Sequence, residues 1–140
     1  MPFFSKISKE RLSQCCDDLQ ILFNFIIQYF DCSVLAGYRG KAEQNKAYEA
    51  GKSKLCFPDS KHNLTPSYAA DVSPYPIDFN DRERMCYFAG QVMMAARLLK
   101  ETGELTHDIR WGGDWDNDTD LKDHSLSDLA HYEIWKPNQI

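Results

Sequence analysis

A chain of 140 residues has the length of one domain, and such a domain buries about 68% of the surface its unfolded chain exposes, enough for a core without staples. With 43% hydrophobic, 26% charged and 13% aromatic residues, the composition is that of an ordinary globule. A net charge of −5 argues against a protein whose main role is gripping nucleic acid.

The start, "MPFFSKISKERL", lacks an apolar stretch followed by a small-residue cleavage site, so synthesis in the cytoplasm without a secretory signal is expected. Residues 8–30 predict one helix, capped by Ser8, with Leu12, Leu19, Leu22, Phe23, Ile26, Ile27 and Phe30 near helical spacing. Its apolar part, "ILFNFIIQYF", is too short to span a bilayer and is interrupted by Asn24 and Gln28, so no membrane span is expected. "SVLAG" (33–37) predicts a short buried strand, and 41–51 a second helix stopped by Gly51. Residues 52–68, with Pro58 and Pro66, predict a loop. "YAADVSPY" (68–75) returns as a strand that stops at Pro74 and Pro76. A long helix is expected over 80–102, capped by Asn80 or Asp81. "DIRWGG" (108–113) reads as a strand running into the acidic loop "DWDNDTDLKD", and "AHYEIW" (130–135) as the last strand. Helices and strands mix without regular alternation, which predicts an α+β fold, a small, mostly antiparallel sheet flanked by helices. One domain over 1–140 and a monomer are expected.

Charge is unevenly spread. Between Arg39 and Lys61 six basic residues face three acids, leaving ten basic against eighteen acidic residues elsewhere, a net of −8. Such a segment suits a ligand with carboxylates, and equally a solvated helix face. The five cysteines, at 15, 16, 32, 56 and 86, show no CxxC spacing and are read as reduced thiols.

Two fragments could carry chemistry. "SKHNLTPSYAAD" supplies His62 and, nine residues on, Asp71; "DLAHYE" supplies Asp128, His131 and Glu133. Histidine and aspartate are zinc ligands, and a catalytic zinc site uses three of them and leaves a position for water. Alone, the two fragments read equally as a loop histidine and an ordinary strand histidine. His107 and His124 are read as surface residues, with His124 the substitute ligand should Asp71 not serve. The alternating acids Asp114, Asp116, Asp118 and Asp120 suggest a calcium loop. Thr119 at the sixth position and Ser125 at the twelfth, in place of Gly and Glu, favour a solvated acidic loop instead. Trp111 and Trp115 are expected to pack the sheet end, and Arg110 to pair with a site acid or form a surface ion pair.

Taken in order, "GYRGKAEQNKAYEAGKSKL" (37–55), "SKHN" with "PSYAADVSPYPIDF" (60–79), "IRWGGDWD" (109–116) and "DLAHYEIW" (128–135) resemble the zinc peptidases that group D-alanyl-D-alanine carboxypeptidases and dipeptidases with the hedgehog signalling domain. The likeness is greatest to phage endolysins of the L-alanyl-D-glutamate peptidase type. The resemblance implies a hedgehog-like peptidase fold and a single Zn²⁺ held by His62, Asp71 and His131. It implies Asp128 as general acid and base, Arg39 supporting the substrate carbonyl, and Ser60 in a supporting part. Glu133 is placed behind the ligands, with some weight as the base instead. Eight residues separate His62 from Asp71 where many relatives have six; the extra two fall in "NLTPSY". The substrate implied is the peptide stem of bacterial peptidoglycan, cut between L-alanine and D-glutamate, by a phage or prophage lysis protein acting on the cell wall. The alternatives are a D,D-carboxypeptidase or dipeptidase on D-alanyl-D-alanine, or a zinc-stabilised binding module without turnover.

Overall fold

A computed structural model describes residues 2–122 and 128–137; His124 and Ser125 lie outside the described residues. In chain order the elements are α1 (Lys6–Ser13), α2 (Asp17–Ile26), β1 (Cys32–Ala36), α3 (Lys41–Glu49), β2 (Ala69–Pro74), α4 (Arg82–Glu101), β3 (Asp108–Gly112) and β4 (Asp128–Trp135), with a short 3₁₀ turn at Lys61–Asn63. The four strands form one sheet in the order β1-β2-β4-β3, every neighbouring pair antiparallel. The architecture is α+β, as the mixed pattern predicts.

The single helix expected over 8–30 is two helices. Between them the Gln14 carbonyl and the Cys16 N–H are taken by Ser67, at 2.9 Å each, so the helical ladder stops and the chain pairs with a distant loop instead. Ser67 itself lies in the segment between His62 and Asp71. The cap of α1 is Ser5, whose side chain accepts from Ser8 N–H. Ser8 acts elsewhere. Its buried Oγ accepts from Val34 N–H at 3.0 Å, while Arg11 donates to the Val34 carbonyl at 3.1 Å. Both polar groups of Val34 on the edge strand β1 are thereby covered by α1, which blunts the edge.

Side chains alternate across the sheet with period two. One face carries Val34, Ala70, Val72, Ile109, Trp111, Tyr132 and Ile134 into the core. Against it lie α2, through Leu19, Leu22, Phe23 and Ile26, and α4, through Phe88, Ala89, Val92, Ala96 and Leu99. Tyr132 is the keystone, meeting Phe23 edge-on with ring centroids 5.3 Å apart. The opposite face carries Asp71, Arg110, His131 and Glu133. This alternation answers why an apolar strand holds ionisable groups: Tyr132 and Ile134 point one way, His131 and Glu133 the other. His107 is half-buried rather than a surface residue. With Thr106 it caps onto the buried Asp18 carboxylate, which joins α2 to the turn before β3. All five cysteines are free thiols, and burial pushes Cys15 and Cys32 up to about 12.

Candidate metal centre and active-site cleft

Strand register builds the core of the site. Asp71 of β2 pairs directly with His131 of β4, and Glu133 pairs with Arg110 of β3 on the same face. His62 arrives from the 3₁₀ turn, where Ser60 and Asn63 form a reciprocal cap: Ser60 Oγ accepts from His62 N–H, and Asn63 Oδ1 accepts from Ser60 N–H. Ser60 therefore supports the turn rather than reaching a ligand position. Within the triad, His62 Nε2 and His131 Nδ1 each lie 3.2 Å from Asp71 Oδ1. The donor atoms of His62, Asp71 and His131 all fall within 4.8 Å of one another.

The outward ring nitrogens decide what the inward ones offer. His62 Nδ1 lies 2.7 Å from the Gly37 carbonyl, an acceptor only, so Nδ1 carries the proton and Nε2 is a lone pair. His131 Nε2 lies 2.8 Å from Glu133 Oε1, so it donates there and Nδ1 is a lone pair. With both rings in the neutral form that binds metal, three acceptors would converge with no proton among them. That arrangement is repulsive unless a cation sits among them or a histidine takes up a proton, and the donor set, two imidazoles and one carboxylate, fits zinc. In the metal-free chain, hydrogen bonds to Asp71 and Glu133 outweigh burial and raise His131 to about 9. The two histidines likewise hold Asp71 well below the usual carboxylate range despite its burial.

Arg39 approaches Asp71 from the other side, its Nη2 3.1 Å from Oδ2 and its Nη1 3.1 Å from Gln44 Oε1. Gln44 is a site residue that the sequence pattern does not mark. It is fully buried on α3, and its amide nitrogen donates to Ser53 Oγ and the Leu55 carbonyl, fastening the loop after α3 to the guanidinium. Lys61 does not belong to a solvated face, as the charge pattern suggests; its ammonium donates to Glu133 Oε2 at 2.7 Å and the Ile134 carbonyl at 2.6 Å. Arg110 makes the pairing with a site acid that its position allows, with Nη2 2.7 Å from Glu133 Oε2. A buried Gln leaves no periodic trace in the sequence, and the contact of Lys61 with Glu133 joins residues far apart in the chain, so neither carries a signal there.

Asp128 opens β4, two residues earlier than the strand was expected to start. The β3–β4 register slips between Trp111 and Gly112, which brings Gly112 opposite Asp128, and Trp111 Nε1 donates to the Leu129 carbonyl at 2.8 Å to hold the irregularity. A Cβ at Gly112 would run into the Asp128 carbonyl, so only glycine fits there. The slip turns Asp128 toward the cleft it shares with the triad. Burial, then the neighbouring Asp71, raises its pKa above the usual carboxylate value. Trp111 is buried at the sheet end as expected. Trp115 differs: its ring lies 5.4 Å from that of His131, and it lines the cleft.

The cleft has a volume of about 1020 Å³. Its walls bring together five cationic side chains (Arg39, Lys52, Lys54, Lys61, Arg110) and five acids (Glu43, Asp59, Asp71, Asp128, Glu133), so a dication would leave it with a surplus of two positive charges. The carboxylates of Asp114, Asp116 and Asp118 also lie close together, with Asp114 accepting from Asp118 and Thr119 N–H in an ordinary loop cap. No helix among the described residues is long and apolar enough to cross a membrane.

Comparison with solved structures finds the L-Ala D-Glu endopeptidase ChiX of Serratia marcescens at 24% identity and a TM-score of 0.71, covering 95% of this chain and 90% of that one. The likeness shows that the two share a fold. No curated protein matches. The model of the phage L-alanyl-D-glutamate peptidases matches residues 1–135, nearly the whole chain and every residue of the cleft. The chain belongs to the phage L-alanyl-D-glutamate peptidase family, and it is an endopeptidase of peptidoglycan.

Proposed function

We propose that this endopeptidase works with one zinc ion per chain, held by His62, Asp71 and His131, and that it cuts the stem between L-alanine and D-glutamate. The observation that carries the reading is the convergence of His62 Nε2, Asp71 Oδ1 and His131 Nδ1, each side chain held by a hydrogen bond on its far side. When bound, zinc supplies Lewis acidity toward the scissile carbonyl and lowers the pKa of water to about 7.

Asp128 is the general base and acid: it accepts the proton of the attacking water and delivers it to the departing amine of D-glutamate. Glu133 is unsuited to that role. Hydrogen bonds and charge from His131 and Lys61 outweigh its burial and bring it down to about 2, and its oxygens are occupied by three side chains. Arg39 commits two of its five N–H donors to Asp71 and Gln44, which leaves donors for the carbonyl oxygen as charge develops on it. The surplus positive charge of the loaded cleft suits a stem bearing free carboxylates. We further propose a monomer made in the host cytoplasm, which reaches the wall when another protein opens the inner membrane.

Digestion of purified muropeptides, with mass analysis of the new amino terminus, tests the bond. A D-glutamyl terminus is expected; free D-alanine as the sole product overturns the assignment. In the same assay Asp128→Asn should keep zinc and fold while losing about 10²–10⁴-fold in rate. A D128N protein as fast as the parent removes Asp128 from the mechanism.

A further inference from the structure

We infer that Lys61 and Arg110 act together as a clamp that decides which ring nitrogen of His131 faces the metal. The inference rests on the metal centre proposed above and concerns residues that do not touch it.

Glu133 is buried on the polar face of the sheet, and its two oxygens are divided between different partners. Oε2 takes Lys61 Nζ at 2.7 Å, Arg110 Nη2 at 2.7 Å and Arg110 Nε at 3.2 Å. Among the described residues, Oε1 takes only His131 Nε2, at 2.8 Å. A carboxylate gripped by two cations on one oxygen cannot swing, so its other oxygen presents a fixed lone pair to the imidazole. The ring answers by donating from Nε2, and Nδ1 is left to accept on the side of Asp71 and His62. Carboxylates placed behind a ligand histidine orient it in this way, and losing such a partner typically costs about 10–100-fold in metal affinity. Here the carboxylate is itself held, one layer further out.

Each arm of the clamp has a second hold. Arg110 lies opposite Glu133 in the β3–β4 ladder, and its guanidinium carbon sits 5.4 Å from the centre of the Trp115 ring. The centre of that ring in turn lies 5.4 Å from the centre of the His131 ring, so Arg110 reaches the imidazole through both Glu133 and Trp115. Lys61 precedes His62 in the chain, yet its ammonium also donates to the Ile134 carbonyl of β4 at 2.6 Å. It therefore ties the turn that brings one histidine to the strand that bears the other. Lys61 and Arg110 are positioning residues, acting through Glu133.

The test uses ¹⁵N-histidine spectra and zinc affinity, measured by chelator competition, on the whole chain. In the parent, zinc should couple to His131 Nδ1, with a slowly exchanging proton on Nε2. The double variant K61M/R110M should lose that slow exchange and bind zinc at least about tenfold more weakly. K61M alone, at a side chain one-quarter exposed, is the milder probe and should weaken zinc about threefold or more. K61R and R110K, which keep the charge, should recover part of the loss. Folded variants with the parent's zinc affinity and Nε2 proton overturn the clamp alone. A parent that takes up no zinc overturns the metal centre, and the clamp with it.

Discussion

Asp71 and His131 face each other across the β2–β4 ladder with Oδ1 3.2 Å from Nδ1, a directly opposed pair on the polar face of the sheet. Opposed positions on one face of an antiparallel pair hold their side chains within reach of each other. Two of the three candidate ligands are thus set by backbone pairing, and the third is brought in by a capped turn.

The first prediction concerns protons in the metal-free protein. His131 is raised from 6.5 to about 9, so its contribution to stability is complete below pH 6.5 and is lost as pH rises through about 9. Glu133 is lowered from 4.5 to about 2, so its contribution is present above pH 4.5 and is lost as pH falls toward 2. Zinc must displace the His131 proton, so between pH 6.5 and 9 its apparent affinity should rise about tenfold per pH unit. Calorimetry in two buffers of different ionisation enthalpy should find close to one proton released at about pH 7. Zinc uptake without proton release there would contradict the charge assignment of the triad.

A second prediction follows from Gln44, whose amide joins Arg39 to the loop after α3. Gln44→Leu removes the partner of Arg39 Nη1 and the shorter of two hydrogen bonds to the Leu55 carbonyl, which keeps Ser53 Oγ at 3.2 Å, a cost of about 1–3 kcal/mol. Zinc content should stay at the parent level while kcat falls, because Arg39 loses its brace but the triad does not. Unchanged kcat in the folded variant would mean that Arg39 needs no positioning.

Tyr132 gives a third. Its hydroxyl is buried with no hydrogen-bond partner among the described residues. Tyr132→Phe removes an unsatisfied polar group and keeps the ring against Phe23, so stability should increase by about 1 kcal/mol, roughly 3 °C in Tm for a domain of this size. Thermal unfolding checks it, and a lower Tm would show that the hydroxyl is engaged in the folded protein.

The cationic walls of the cleft give a fourth. Lys52 is exposed on the wall formed by the loop after α3. With anionic stems as substrate, Lys52→Gln should raise KM about twofold to fivefold, the scale of an exposed ion pair worth about 0.4–1 kcal/mol. The kcat should be unaltered, and added salt should raise the parent's KM and shrink the difference. A KM insensitive to both the substitution and salt would remove the wall from substrate recognition.

How much of this is legible in the chain is seen residue by residue. The alternation of "AHYEIW" and "YAADVSPY" is local: with a period of two, it assigns His131 and Glu133 to one face and Tyr132 and Ile134 to the other before any partner is known. Residue chemistry likewise marks His62, Asp71 and His131 as candidate ligands, and the antiparallel α+β class follows from the order of elements. The helix break at Gln14–Cys16 is invisible, because the competing partner is Ser67, far along the chain. Lys61 reads as a solvated charge because nothing near it in sequence shows that Glu133 lies within 2.7 Å. The aim of Asp128 depends on a register slip against Gly112, and the place of Trp115 on the turn that follows. Periodicity is a property of neighbouring residues and survives in the one-dimensional text. Pairing, register and burial are properties of residues brought together from opposite ends of the chain, and they exist only once the sheet has formed.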